Sequence, residues 1–172
     1  MHFPGLSVSV AGRFDAPRRH RSRLVRQQDT EPGMRSLTIE PLTPDRIDQA
    51  FPLIQMVRPR LSVADWRAHA HALLARPDSG ITLLVDDRGL ILGLFCWTVE
   101  SHPDHGATLD AEDFVALDIV GSNRSADALA DALEDTARRH GCGAVHTNVQ
   151  CAGGGASGLV DRLSGLGHRM ES

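Results

Sequence analysis

The chain of 172 residues contains no lysine and no tyrosine, and only three of its residues are cysteines. Arginine therefore carries all of the fixed basic charge, and we attach no mechanism to the missing lysine. The absence of tyrosine excludes every catalytic scheme in which a tyrosine hydroxyl donates a proton. No apolar run approaches the ~18 residues that a membrane-spanning helix needs, so we expect no membrane partner.

The cysteines Cys96, Cys142 and Cys151 are irregularly spaced and contain no C-x-x-C pair. Cys142, His146 and Cys151 are ligand-type residues, but no fourth ligand is apparent beside them. Histidines and an aspartate also occur close together in residues 101–107, where the pattern is that of a polar loop. We therefore predict no metal site, and we expect reduced, structural cysteines in a cytoplasmic protein.

Basic charge is concentrated in residues 1–33, where six arginines outnumber three acidic residues and give about +3. The remainder carries about −7, so we expect it to attract a basic amine and do not expect nucleic acid as a partner. Residues 1–33 also lack sustained periodicity. We interpret 1–33 as a disordered or non-native basic extension, with a targeting peptide as an alternative, and 34–172 as a single domain that starts at Met34.

Hydrophobic periodicity predicts a mixed α/β domain with its elements in the order β-α-α-β-β-β-α-β-α. Thr43, Pro44 and Asp45 are typical of a helix start, and Ser62 with Asp65 resembles a capping box. The predicted strands span residues 37–40, 81–85, 90–100, 109–120 and 144–149, and the predicted helices span 43–59, 62–77, 126–140 and a short stretch around 159–166.

Two local patterns add to this order of elements. Residues 128–142 close on Ala-Arg-Arg-His-Gly-Cys, and residues 163–168 read Leu-Ser-Gly-Leu-Gly-His. With these patterns the chain, from Leu37 to about Arg169, resembles the GNAT superfamily of N-acetyltransferases. The resemblance implies a mixed sheet with helices on both faces and, because the chain stops at Ser172, a shortened C-terminal end. Such an end leaves an open sheet edge, for which we expect a homodimer or a heteromeric contact.

The resemblance also implies a cofactor, acetyl-CoA or another acyl-CoA, bound where a strand leads through a polar loop into the third helix. Free N–H groups and the positive end of the helix dipole suit a pyrophosphate there. Arg124 replaces the first glycine of the family's loop motif, and the alternative is that Ser125 and Asp127 only cap the helix. The implied cofactor-binding residues, with the N–H of Ile119 or Val120 polarising the thioester carbonyl, are Ile119, Val120, Gly121, Ser122, Asn123, Arg124, Ser125, Ala126 and Asn148.

Asp118, His146 and Glu112 are the candidate catalytic residues. Asp118 lies in an otherwise apolar strand, where burial raises a carboxyl pKa and suits the group to accept a proton; the alternative is a strand-end carboxylate bonded to loop N–H groups. His146 lies in the fifth strand, beside the implied thioester, and the alternative is a packed strand histidine. Glu112 and Asp113 would draw protons through water, or are solvated surface acids.

The residues and the resemblance together predict an acyl-CoA-dependent N-acyltransferase that acts by direct transfer on a small-molecule or peptide amine. The alternative is a catalytically inactive GNAT-fold module that senses CoA or mediates protein contacts. Leu163 stands where many members of the family have a tyrosine acid, and this difference favours the alternative. So does the arginine in the phosphate loop, because a side chain restricts the backbone conformations that glycine allows.

Overall fold

The computed structural model describes residues 36–102, 106–117 and 124–147. Every element predicted within these ranges is present, whereas the extension 1–33 and the last predicted helix lie outside them. Among the described residues, no helix is long and apolar enough to cross a membrane. In chain order the elements are β1 (Leu37–Pro41), a 3-10 turn (Pro44–Arg46), α1 (Ile47–Val57), α2 (Val63–Leu74), β2 (Ser79–Asp86), β3 (Ile91–His102), β4 (Gly106–Ala116), α3 (Arg124–Arg139) and β5 (Ala144–Thr147).

The five strands form one mixed sheet in the order β1-β2-β3-β4-β5. The first four strands are antiparallel neighbours, and the turn between β2 and β3 closes on Gly89, whose φ of 81° favours glycine. β5 lies parallel to β4, with Thr108 opposite Ala144 and Ala111 opposite Thr147. A parallel pair needs a crossover connection, and α3 supplies it here.

The sheet separates two hydrophobic cores, as the predicted helices on both faces require. Because neighbouring side chains on a strand point to opposite faces, Phe95 packs on the α3 side and Leu94 packs on the side of α1 and α2. On that second side Trp66 is fully buried, and its Nε1 donates a 2.8 Å hydrogen bond to the Ile47 carbonyl oxygen. This bond joins α2 to the first residue of α1.

The two predicted helix starts have different outcomes. Ser62 caps α2 as expected, since its hydroxyl oxygen accepts a 3.1 Å hydrogen bond from the Asp65 N–H. Thr43 makes no capping bond, so that part of the prediction is wrong. Its hydroxyl instead bonds to the exposed Asp45 carboxylate and lowers the pKa of that carboxyl group. The chain therefore passes through a 3-10 turn, and α1 begins only at Ile47.

Gly93 in β3 allows α3 to lie close to the sheet. A Cβ placed on Gly93 would lie 2.6 Å from Leu129 Cδ1 of α3 and 2.6 Å from the carbonyl oxygen of Val115 in β4. Leu129 is fully buried, and the Val115 carbonyl belongs to the sheet backbone, so neither can move away freely. The absence of a side chain at Gly93 thus sets how closely α3 packs against the sheet.

Replacing Gly93 with alanine is expected to lower the free energy of unfolding by about 2 kcal/mol, because the added methyl group overpacks this contact. The matched control is Gly80→Ala in β2, where the Cβ would meet only the Trp97 ring, at 2.8 Å. That ring is a partly exposed side chain, so the control is expected to cost clearly less. Urea denaturation of both variants checks the prediction, which fails if the two losses of stability are equal.

Candidate functional site

A β-bulge interrupts the pairing of β3 with β4. Leu94 pairs with Val115 and Cys96 pairs with Glu112, so that Asp113 and Phe114 together stand opposite Phe95. Asp113 has a φ of 53°, the left-handed conformation, which aspartate tolerates better than most residues. Such a bulge turns side chains away from strict alternation. Here it directs two neighbouring acids, Glu112 and Asp113, toward the α1 and α2 side of the sheet.

Arg58, which follows α1, holds both of these carboxylates. Its Nε donates to Asp113 Oδ1 at 2.5 Å, and its Nη2 donates to Glu112 Oε2 at 3.2 Å. The Asp113 side chain is 7% exposed and that of Glu112 is 63% exposed. Burial raises the pKa of Asp113, and the charge of Arg58 opposes that rise. Glu112 is therefore a surface acid, whereas Asp113 is a buried one.

Two further titratable side chains lie beside Asp113. His69 from α2, Cys96 from β3 and Asp113 each offer one ligand-type atom, and these atoms all lie within 4.8 Å of one another. Cys96 is buried, and this burial raises the pKa of its thiol well above the usual value. The three residues come from three separate elements, and we call them the His-Cys-Asp cluster.

His146 lies across the parallel strand pair from Asp110, with its Nδ1 3.8 Å from Asp110 Oδ1. The two side chains are 26% and 41% exposed, respectively. Val145 packs on the α3 side of the sheet, so by alternation His146 points to the side of α1 and α2. His146 and the two acids of the bulge therefore share one face of the sheet.

The N-terminus of α3 begins two residues earlier than predicted. Arg124 is the first helical residue, so Arg124, Ser125 and Ala126 lie in the first turn of the helix and not in the loop before it. Arg124 is exposed, while Ser125 and Ala126 are buried against the sheet. The first N–H groups of a helix have no partner within the helix, so this end offers donors and the Arg124 guanidinium to an anion.

No protein-family model matches the chain, and no curated protein matches its sequence. Solved structures do match. An aminoglycoside N-acetyltransferase in complex with a CoA-containing bisubstrate analogue matches with a TM-score of 0.63 and 13% identity, over 74% of this chain and 89% of that one. A GNAT family acetyltransferase from Staphylococcus aureus matches with a TM-score of 0.55 and 15% identity, over 67% and 87%. Glucosamine-6-phosphate N-acetyltransferase from Arabidopsis thaliana gives a TM-score of 0.53 and 15% identity, over 67% and 83%.

The chain has the GNAT fold. The expected fold class is thereby confirmed, including the mixed sheet and the helices on both of its faces. At these identities the matches establish the architecture alone.

The predicted site residues fall into two groups in this GNAT fold. His146, Glu112, Arg124, Ser125 and Ala126 have described positions, with the histidine and the glutamate on one face of the sheet and the other three at the start of α3. The remaining predicted residues, which lie outside the described ranges, are Asp118, Ile119, Val120, Gly121, Ser122, Asn123 and Asn148.

Sequence reasoning missed the buried position of Asp113. One signal was present, because the apolar residues of this strand occur at Leu109 and Ala111 and then change phase to Phe114 and Ala116. A shift by one residue in a period of two is what a bulge produces. The acid at the phase change is the bulged residue.

Proposed function

We propose that the chain is an acyl-CoA-dependent N-acyltransferase that transfers an acyl group, acetyl in the simplest case, to an amine. The observation that carries this proposal is the combination, in a GNAT fold, of the β4 bulge, the parallel β4–β5 pair and the helix α3. β4 contains the bulge and pairs in parallel with β5, and α3 lies between these two strands in the chain. In an α/β sheet such a position favours an anionic ligand at the helix and chemistry at the neighbouring strand ends.

The residues at the start of α3 fit the phosphates of an acyl-CoA. Arg124 offers an exposed guanidinium, and the first turn offers N–H donors with the positive end of the helix dipole. Asp127 is exposed in the same turn, and its negative charge repels an anion. Phosphate binding therefore requires the attraction of Arg124 to exceed this repulsion. We assign phosphate binding to Arg124, Ser125 and Ala126, together with residues 119–123, and contact with the rest of the cofactor to Asn148.

The bound acyl-CoA supplies a thioester, and the protein's own residues handle the amine and its proton. We assign the general base to His146, which takes a proton from the acceptor's ammonium group and so frees the lone pair that attacks the acyl carbon. The second nitrogen proton passes to water as the carbon–sulfur bond breaks. Asp118 is the second candidate base, by its place in the sequence. A backbone N–H of Ile119 or Val120 polarises the carbonyl, and water or Ser164 returns a proton to the thiolate.

The acceptor is proposed to be a cationic amine. Asp110 and Glu112 are partly exposed carboxylates on the same face as His146, and opposite charge raises the local concentration of a protonated amine. Aminoglycosides and glucosamine 6-phosphate are named for the matched enzymes, and both contain amines. A second candidate function, a GNAT module that binds CoA without turnover, is favoured by Leu163 at the position of the family's tyrosine acid.

Calorimetric titration of acetyl-CoA into the full chain tests the cofactor site. We expect micromolar binding, weakened about tenfold in Arg124→Ala because a charge-assisted hydrogen bond to phosphate is lost. The matched control is Arg138→Ala at the opposite end of α3, where the guanidinium binds Glu134 and Asp135. That variant should bind like the unmodified protein.

Two results of this titration contradict the proposal at different points. If acetyl-CoA does not bind at millimolar concentration, both proposed functions, the acyltransferase and the CoA-sensing module, are wrong. Binding that Arg124→Ala leaves unchanged would remove only the assignment of Arg124. If binding is present, release of free thiol in the presence of an amine panel separates the enzyme from the silent module.

A further inference from the structure

The His-Cys-Asp cluster is buried between α2, β3 and the bulge of β4. The Asp113 side chain is more than nine-tenths buried, and Cys96 is 2% exposed. Each residue offers one ligand-type atom, and no two of these atoms lie more than 4.8 Å apart. Within the described ranges, this is the single group of three or more such residues close enough together to hold one ion.

Two polar atoms of the cluster have no hydrogen-bond partner among the described residues. They are His69 Nε2 and Asp113 Oδ2, and both are shielded from solvent. An unsatisfied buried polar atom costs about 1–3 kcal/mol, so two of them in one cluster need an explanation. A bound water or a bound cation would satisfy both. Cys96, the third residue of the cluster, favours the cation over the water. A thiol forms only weak hydrogen bonds with water, whereas a thiolate is a strong metal ligand.

The donor types indicate which metal. A thiolate, an imidazole and a carboxylate are ligands of Zn²⁺ and of related divalent transition metals, whereas Mg²⁺ and Ca²⁺ prefer oxygen alone. Ligand atoms around tetrahedral zinc are separated by roughly 3.5 Å, so the cluster has to contract by about 1 Å. His69 is only partly buried on α2, which leaves its ring room for this adjustment.

Arg58 supports such a site from outside it. The guanidinium holds Asp113 Oδ1 at 2.5 Å, whereas Oδ2 has no hydrogen-bond partner among the described residues. Carboxylates that bind metals are commonly held in this way by a hydrogen bond to the other oxygen.

We propose that His69, Cys96 and Asp113 bind one divalent transition-metal ion of the zinc class, with a water molecule as the fourth ligand. Binding converts the Cys96 thiol to a thiolate and releases its proton to solvent, so metal affinity rises with pH. The ion links α2 and β3 to the bulge of β4. This site is separate from the proposed cofactor site at α3, and its existence does not depend on acyl transfer.

Cobalt(II) titration of the untagged, chelator-treated full chain tests the proposal directly. We expect one equivalent to bind and to produce the near-ultraviolet charge-transfer absorption of a cobalt–thiolate bond, which zinc then abolishes by displacement. Cys96→Ser should lose this absorption. Cys142→Ser is the matched control, because Cys142 is also a buried free cysteine but packs in the other core, and it should keep the absorption.

A second variant keeps the test decisive if Cys96→Ser fails to fold. His69→Gln changes a partly exposed side chain and is expected to lower cobalt affinity at least about tenfold and to remove the thermal stabilisation by zinc. The absence of any cobalt–thiolate absorption in the folded protein would overturn the proposal and leave a buried water as the occupant. Absorption that persists in Cys96→Ser would place the metal at another cysteine and would also overturn it.

Discussion

Replacing His146 with glutamine is expected to lower the rate of acyl transfer at least ~100-fold, because glutamine has no basic ring nitrogen that can take the proton of the amine. Glutamine is similar in size and still forms hydrogen bonds, so the strand pair should remain intact. The affinity for acetyl-CoA, measured by calorimetry, should stay within about twofold of the unmodified value. The measurement is kcat with an amine that the unmodified protein accepts.

The geometry around His146 supports this expectation. Its ring is about one quarter exposed, so substrate can reach it, and its Nδ1 lies 3.8 Å from Asp110 Oδ1. A carboxylate placed across the strand pair from the imidazole helps to hold the ring in its orientation. Asp110→Asn is therefore expected to lower kcat by a smaller factor than His146→Gln.

The matched control for this prediction is His71→Gln. His71 is an exposed histidine near the end of α2, and the same substitution there should leave kcat unchanged. If His146→Gln retains most of the activity, the base lies elsewhere and Asp118 becomes the candidate. If both histidine variants lose activity equally, the effect is not specific to His146 and the assignment fails.

The sheet and the helices of this protein could be predicted because they depend on local periodicity. The apolar residues that recur at helical spacing in α3 are buried, as seen at Leu129, Leu133 and Ala137. The strands were equally visible, since they follow alternating or wholly apolar runs of the sequence. What differs is the boundaries, among them the start of α3, two residues earlier than predicted, and the start of α1, which comes only after a 3-10 turn.

The candidate site was less predictable because its geometry depends on tertiary contacts. Asp113 follows Glu112 directly, yet one acid is buried and the other is exposed. No local pattern states that Arg58, more than fifty residues earlier, would pair with both of them. The same holds for the proximity of His69 to Cys96, which exists only because α2 packs across the sheet.

Removal of Arg58 is expected to destabilise the fold more than removal of other surface arginines. Arg58→Leu leaves the Asp113 carboxylate buried without its cation, and breaking such a pair costs about 3–5 kcal/mol. Because Arg58 is itself 37% exposed, water screens the pair in part and the lower end, about 3 kcal/mol, is expected. Urea denaturation in the presence of a chelator measures this loss without any contribution from metal.

The double variant Arg58→Leu with Asp113→Asn separates lost pairing from lost packing. Asparagine tolerates the left-handed conformation of residue 113 and carries no charge, so the double variant should be more stable than Arg58→Leu alone. Arg67→Leu is the control, because Arg67 pairs with Asp48 and both side chains are more than half exposed; its effect should be small. A double variant no more stable than Arg58→Leu would mean that the arginine acts through packing. Recovery of stability would mean that a single ion pair holds the turn after α1 against the bulge of β4.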